Sequence, residues 1–232
     1  MESRSNGRRP APRAALALCA AAAVLAAGCA GLGRVTVEKR PVSPVRQNFV
    51  GESRLPETLR RVVLLPVWGG EAAPSESALA LDPGFATALV RQKRFEVVTI
   101  SREECQRRFG NDSLSSASAL PAGFLDELRR DFAADGVMFV DLTAYHPIRP
   151  IALGVRAKLA LTAGARIIWS FDDVYSAEDP AVLQGIRRYY GAAGGDRGEG
   201  PANLPEAALI SPSRFGAYAA DATFQTLPPR WR

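Results

Sequence analysis

The sequence predicts an α/β domain built on one mixed β-sheet of about five strands, with helices packed on it in three layers. Three observations carry that prediction. An apolar, β-branched run, a helical segment and a second β-branched run follow one another between residues 61 and 100, the order of a strand–helix–strand crossover. Two long segments of period two follow, "IALGVRAKLAL" and "ARIIWSFDDVYS", separated by the short turn at Ala163-Gly164. Segments of helical period stand before and after them. A right-handed crossover makes the first strand pair parallel, and the short turn makes the last pair antiparallel, so the sheet is mixed.

The amino-terminal end reads differently. Arg4, Arg8, Arg9 and Arg13 form a basic start, and Ala14 to Ala27 is an almost unbroken apolar run of about 14 residues. A spanning helix needs roughly 20 residues, so this run is too short to cross a bilayer and has the shape of an export signal. It ends in Leu25-Ala26-Ala27-Gly28-Cys29. A cysteine there is a nucleophile that alkylates readily as the thiolate. These residues resemble the bacterial lipobox. The resemblance implies cleavage before Cys29, a diacylglycerol on its sulfur and an acyl chain on its new amino group, with no other cofactor. Several chains hold a protein on a membrane where one gives only marginal binding. Ala30 stands where an aspartate would imply retention at the inner membrane, so the resemblance implies the outer membrane, periplasmic face. Arg8-Arg9 is followed by Pro10 and Ala11 and does not match a twin-arginine signal.

The expected division is therefore a signal peptide at 1–28, the lipidated Cys29 and a flexible tether at 29–58, a single globular domain at 59–227 and a tail at 228–232. The tether holds Pro41, Pro44 and Pro56 and few large apolar groups. Hydrophobic residues make up 47% of the 232, ample for a core. The formal net charge of +5 falls to +2 once the leader's four arginines and one glutamate are gone, which removes most of the case for nucleic acid as a partner. Of three cysteines, Cys19 leaves with the leader and Cys29 takes lipid. Cys105 is left without an internal disulfide partner, and the fold must stand on its core.

Within the domain, "RRVVLLPVWG" gives a strand buried on both faces. In "SESALALDPGFATALVRQKR" Leu81, Phe85, Ala88 and Leu89 recur at helical spacing and Ser75 or Ser77 could cap the start, but Asp82-Pro83-Gly84 interrupts the pattern, so the helix is expected from about Pro83. "RFEVVTI" is a strand. "SREECQRRFG" opens with Ser101 three residues before Glu104, a capping box, and closes at Gly110. "LPAGFLDELRRDFAADG" places Phe124, Leu125, Leu128 and Phe132 on one side of a helix that Gly136 stops. Three strands follow, then a helix from Asp179-Pro180 through Tyr190, a glycine-rich loop, and a last helix capped by Ser211 with Pro212 at its first position.

Three stretches, "RRVVLLPVWG", "FLDELRRDFAADGVMFVDLTAY" and "LALTAGARIIWSFDDVYSA", resemble in order and spacing the opening strand, the helix-into-strand and the closing hairpin of lipoproteins related to the curli-secretion protein CsgG and the amino-terminal domain of TolB. The likeness covers roughly residues 60 to 190. It implies a periplasmic body that acts by binding or assembling with envelope proteins or with itself. Some such relatives form pores, which need spare amphipathic strand pairs of about 9–11 residues. None is evident here, so a secretion-channel subunit is the alternative rather than the first reading.

Little in the sequence points to catalysis. His146 is alone, and zinc wants several converging ligands, so no metal site is expected. Asp172-Asp173 with Glu178-Asp179 could serve a hydrolase as an acid–base pair, or be a solvated face with a helix cap at Asp179. No nucleophile elbow or phosphate loop is present. Aromatic and arginine side chains are the candidates for partner binding: Trp68, Arg187, Arg188, Tyr189, Tyr190 and Trp231. Their alternative is to cover the sheet. The lipid assignment predicts that intact-mass analysis of the mature protein finds a chain starting at Cys29 with acyl masses added. Cys29→Ser is expected to lose those masses and membrane retention together.

Overall fold

Side-chain alternation along the central strands sorts the core into two halves, one on each side of the sheet. The computed structural model describes residues 47–193 and 204–230, so Cys29 with its lipobox and Trp231 lie outside the described residues. In chain order the elements are β1 (Gln47–Val50), β2 (Arg61–Leu64), α1 (Ser75–Arg91), β3 (Glu96–Thr99), α2 (Arg102–Phe109), α3 (Phe124–Phe132), β4 (Gly136–His146), β5 (Ala152–Leu161), β6 (Ile167–Ser176), α4 (Pro180–Ala193), α5 (Leu204–Ala208) and α6 (Pro212–Phe224). The sheet runs β1-β6-β5-β4-β2-β3. β2 pairs parallel with β3 and β4, and the other pairs are antiparallel.

Val62 and Leu64 of β2, Met138 and Val140 of β4, and Leu153 to Leu159 of β5 at every second residue face α1, α4 and α6. Val63, Leu65, Val137 and Phe139 face the other way, onto Cys105 and Phe109 of α2 and Phe124 and Leu128 of α3. This is the three-layer α/β arrangement expected. The second layer is partial: it takes only Ala160 from β5 and nothing from β6. The uncovered part of that face carries Arg156 and Lys158 of β5 beside Ser170 and Asp172 of β6. Arg156 Nε donates to Asp172 Oδ2 at 2.7 Å.

The fold class is as expected, with the mixed sheet at six strands. Three details need correction. First, β1 comes from the stretch read as tether, where Gln47 to Val50 pair with Asp172 to Trp169. A four-residue edge strand has too few positions to show alternation. Leu55 and Leu59, 1% and 0% exposed, plug the body there. Leu55 N–H donates to the carbonyl of Pro229 at 2.9 Å, so the carboxyl-terminal residues return to the body as well. Second, α1 begins at Ser75 and runs through Pro83. Asp82, just before the proline, is engaged outside the helix: its Oδ1 accepts from Val67 N–H at 2.8 Å and its carboxylate takes Arg102 at 2.8 and 3.2 Å. Third, α3 is ended by Ala133 in the left-handed region (φ 50), and Gly136 is the first residue of β4. A Cβ at Gly136 would lie 2.8 Å from Leu59 Cδ1 and 3.1 Å from the Ala160 carbonyl, so the glycine serves close approach.

Other expectations hold. Ser101 Oγ accepts from Glu104 N–H at 3.1 Å, and Ser211 Oγ from Arg214 N–H at 3.4 Å. Cys105 is fully buried, and burial pushes its thiol up to about 11, which makes it inert. The α1–α6 contact is close because α6 offers small residues: a Cβ at Gly216 would collide with Leu81, and Gly84 meets Ala217.

Arg102 is only 10% exposed, and its guanidinium also takes Asp112 Oδ2 at 3.1 Å and the Val67 carbonyl at 2.7 Å. Asp82→Ala should lower stability in urea denaturation by about 3 kcal/mol, because a buried charge loses its main partner. Replacing both residues together, Asp82→Leu with Arg102→Met, should recover most of that loss.

Candidate functional site

A groove of about 870 Å³ opens between α1, α4 and α6. Its walls bring together Arg91 from the end of α1, Gln184, Arg188 and Tyr189 from α4, and Asp221 and Gln225 from α6. α4 can lie this close because Gly185 faces the Tyr218 hydroxyl, where any Cβ would collide.

The floor is aromatic. Tyr190 meets Tyr189 edge-on at 4.8 Å, Tyr189 meets Tyr218 at 6.1 Å, and Tyr218 meets Tyr175 at 5.9 Å. The series continues through Phe171 to Trp169 and Phe224 in the core. Such pairs add about 0.5–1.5 kcal/mol each beyond burial, so the floor is held by more than its buried area. Tyr175 Oη and Thr223 Oγ1 share a hydrogen bond of 3.0 Å, which ties β6 to α6 beneath it.

Arg91 lies over the Tyr189 ring, its Cζ 5.3 Å from the centroid, and reaches Asp221 Oδ1 at 3.5 Å. The Tyr189 side chain, then Asp221, raises the Arg91 pKa above the usual arginine value. Asp221 is 5% exposed, and its other oxygen accepts from Gln225 Nε2 at 2.6 Å. Arg188 is exposed and has no ion pair or hydrogen bond among the described residues. The groove therefore presents one guanidinium without a partner among the described residues and one that lies over a tyrosine ring and reaches Asp221. This equips it to bind an acidic or aromatic group.

Of the residues singled out in the sequence, Arg188 and Tyr189 line the groove. Tyr190 stands beside it and donates from its hydroxyl to the Arg214 carbonyl at 2.8 Å. Arg187 is exposed on α4 outside the lining. Trp68 sits elsewhere, half-buried past β2, bridged to Asp141 and packed on Gly70. Arg91, Gln184, Asp221 and Gln225 were not foreseen. A signal existed for Asp221, which falls three residues after Tyr218 and six after Phe215 on the buried stripe of α6.

The acidic cluster does not converge. Asp172 and Asp173 are neighbours on β6 and so point to opposite faces. Asp172 is paired with Arg156, Asp173 Oδ1 accepts from Val174 N–H at 2.8 Å, and Asp179 Oδ1 accepts from Ala181 N–H at 2.7 Å. His146 is exposed at the end of β4. Among the described residues no group of three or more metal-ligating side chains comes together, and no helix is long and apolar enough to cross a membrane. A smaller cleft of about 370 Å³ lies at the carboxyl ends of β2 and β3, where α/β sheets place ligands. Its walls are mainly apolar, and Arg102 there is already engaged.

No family model and no curated protein matches the chain. Solved structures similar to it include a PelC dodecamer from Paraburkholderia phytofirmans, at 10% identity over 80% of this chain and 98% of that one, with a TM-score of 0.44. Lipoprotein GNA1162 from Neisseria meningitidis is similar at 13% identity over 59% and 98%, TM-score 0.40. The LpoB carboxyl-terminal domain from Salmonella enterica is similar at 16% identity over 50% and 82%, TM-score 0.33. Likeness this low assigns neither family nor function to the chain.

Burial, then the neighbouring Tyr189, pushes the Tyr190 phenol up to about 12 from an ordinary value of 10. The folded state thus holds this proton more tightly than the unfolded chain does. The resulting stability is intact below pH 10 and is lost as pH rises toward 12. Denaturation of Tyr190→Phe should show a deficit of about 1 kcal/mol at pH 9, from the missing bond to the Arg214 carbonyl. That deficit should shrink between pH 10 and 12.

Proposed function

We propose that this chain is a non-catalytic lipoprotein of the bacterial outer membrane, held at the periplasmic face by lipid on Cys29. Its α/β body binds an envelope partner through the groove of Arg91, Arg188 and Tyr189. The observation that carries the binding role is the exposed guanidinium of Arg188, with no ion pair or hydrogen bond among the described residues, near Arg91 over the Tyr189 ring and above an aromatic floor. Aromatic and arginine side chains on a firm base are the usual anchors of protein interfaces, and the two guanidinium groups favour a partner with an acidic segment. The lipobox and the likeness of residues 60 to 190 to the CsgG and TolB group support the address and the assembly role. A hydrolase reading at Asp172 lacks a convergent carboxylate pair. A channel subunit needs strand pairs beyond the sheet, and β4, β5 and β6 are all paired within it.

Crosslinking and pull-down of the lipidated protein from its own envelope tests this reading. Arg188→Glu with Tyr189→Ala should lose the wild-type partner, with affinity down by about 1–3 kcal/mol or more. Identical partners in wild type and variant would remove the groove from the account. A parallel Cys29→Ser form separates contacts that need the anchor from those that need the groove.

A further inference from the structure

Two large apolar side chains stand out as the most exposed of their kind among the described residues: Ile148 at 80% and Ile210 at 62%. They belong to separate segments, the β4–β5 turn and the α5–α6 link, which an arginine side chain ties together. Arg149 Nε donates to the Leu209 carbonyl at 3.2 Å, which joins the residue after Ile148 to the residue before Ile210. Pro147, Pro150 and Pro212 flank the pair and stiffen both segments. The result is a firm tip carrying two bare aliphatic groups. It has none of the aromatic anchors that mark the groove.

The sheet tells which way this tip faces. β1 runs antiparallel to β6, and β6 antiparallel to β5. Gln47 therefore begins β1 at the end toward which β4 rises into its turn and β6 finishes at Ser176. The described chain thus begins from that side of the sheet. The 17 residues between Cys29 and Gln47 can reach at most about 60 Å at roughly 3.5 Å each. We propose that the β4–β5 turn and the α5–α6 link form a lipid-facing tip, with Ile148 and Ile210 inserted into the headgroup region of the bilayer that holds the chain. The proposal rests on the lipid-anchor reading above for the identity of that bilayer. A shallow contact of this kind is driven by apolar area, and anchoring is firm when a second contact adds to acyl chains. Arg149 can lay its stem along the apolar layer and keep its head at the phosphates. Glu178, two residues past β6, makes the rim mixed in charge, so the contact should persist in high salt.

The test uses the full chain in vesicles of phosphatidylethanolamine and phosphatidylglycerol. Ile148→Cys, Ile210→Cys and Val90→Cys are each spin-labelled, and collision with oxygen is compared with collision with a water-soluble nickel chelate. Cys105 is fully buried and stays out of the labelling. Val90, 55% exposed at the far end of α1, is the control. Labels at 148 and 210 should favour oxygen several-fold over the label at 90, at low and high salt alike. If the vesicle-bound protein shows all three labels equally open to nickel, the tip proposal is overturned and the two isoleucines are left to a protein partner. Intact mass reports separately whether Cys29 is acylated. If it is not, the anchor reading fails, and the same labels are read on a Cys19→Ala, Cys29→Ala background. Insertion there still supports the tip, and nickel access still overturns it. A second pair of measurements uses vesicle flotation of that background with and without Ile148→Ser and Ile210→Ser. It should show about tenfold weaker binding for the doubly substituted chain, since surface isoleucines bear on lipid and not on folding.

Discussion

The placement of α1, and with it of the groove, depends on one buried guanidinium. Arg102 opens α2 and is held by Asp82 of α1, by Asp112 after α2 and by the Val67 carbonyl after β2. Asp82 takes the Val67 amide with the same carboxylate. One charge cluster thus fixes the exit of β2, the middle of α1 and the start of α2. Burying two ions costs several kcal/mol each before their attraction offsets it, so such a pair fixes geometry better than it adds stability. The geometry it fixes is specific. With Asp82 pinned, Leu81 and Gly84 meet Gly216 and Ala217 of α6. The end of α1 then delivers Arg91 onto the Tyr189 ring.

The two faces of the sheet differ for a related reason. α1 of the first crossover and the helices of the carboxyl-terminal half lie on one face, and their rings and aliphatic groups cover β6, β5, β4 and β2 there. The other face has only α2 and α3, and they reach β4. Beyond them the residues on β5 and β6 are charged and paired across strands, Arg156 with Asp172, while Lys158 donates to the Ser116 carbonyl at 3.1 Å. A face that satisfies its own polar groups needs no cover. At the boundary Asp141 is 1% exposed and accepts from the Ser116 amide at 3.0 Å and its hydroxyl at 2.7 Å, which seals the core with a loop where a third helix would otherwise be required.

Elements that hide a periodic face were legible from the sequence; elements defined by long-range partners were not. The two-sided apolar run of β2, the alternation of β5 and β6 and the stripe of α3 each declare their burial locally. β1 does not, because Gln47 to Val50 become a strand only through β6, more than a hundred residues later in the chain. Pro83 reads as a helix breaker, and sequence spacing gives no sign that Arg102 and Val67 hold its neighbour Asp82 in place. At the groove, Arg188 and Tyr189 were visible as residue types suited to binding. Arg91 was not, since an arginine closing a helix is ordinary by itself. Only the approach of α4 to α6 at Gly185 turns three separate helices into one surface.

Groove and tip divide the molecule by direction. α1 leaves the carboxyl end of β2 and returns to the amino end of β3, so its last turn, with Arg91, lies at the end of the sheet opposite the β4–β5 turn. A body resting on Ile148 and Ile210 would thus turn the Arg91 end of its groove away from the lipid. Gln47, where the described chain starts, begins β1 from the side of that turn. The two contacts would then be independent in free energy: lipid binding would orient the partner site while leaving its side chains unchanged. An interaction that needs orientation alone gains from the tip through a higher effective concentration at the membrane, with no new contact in the groove.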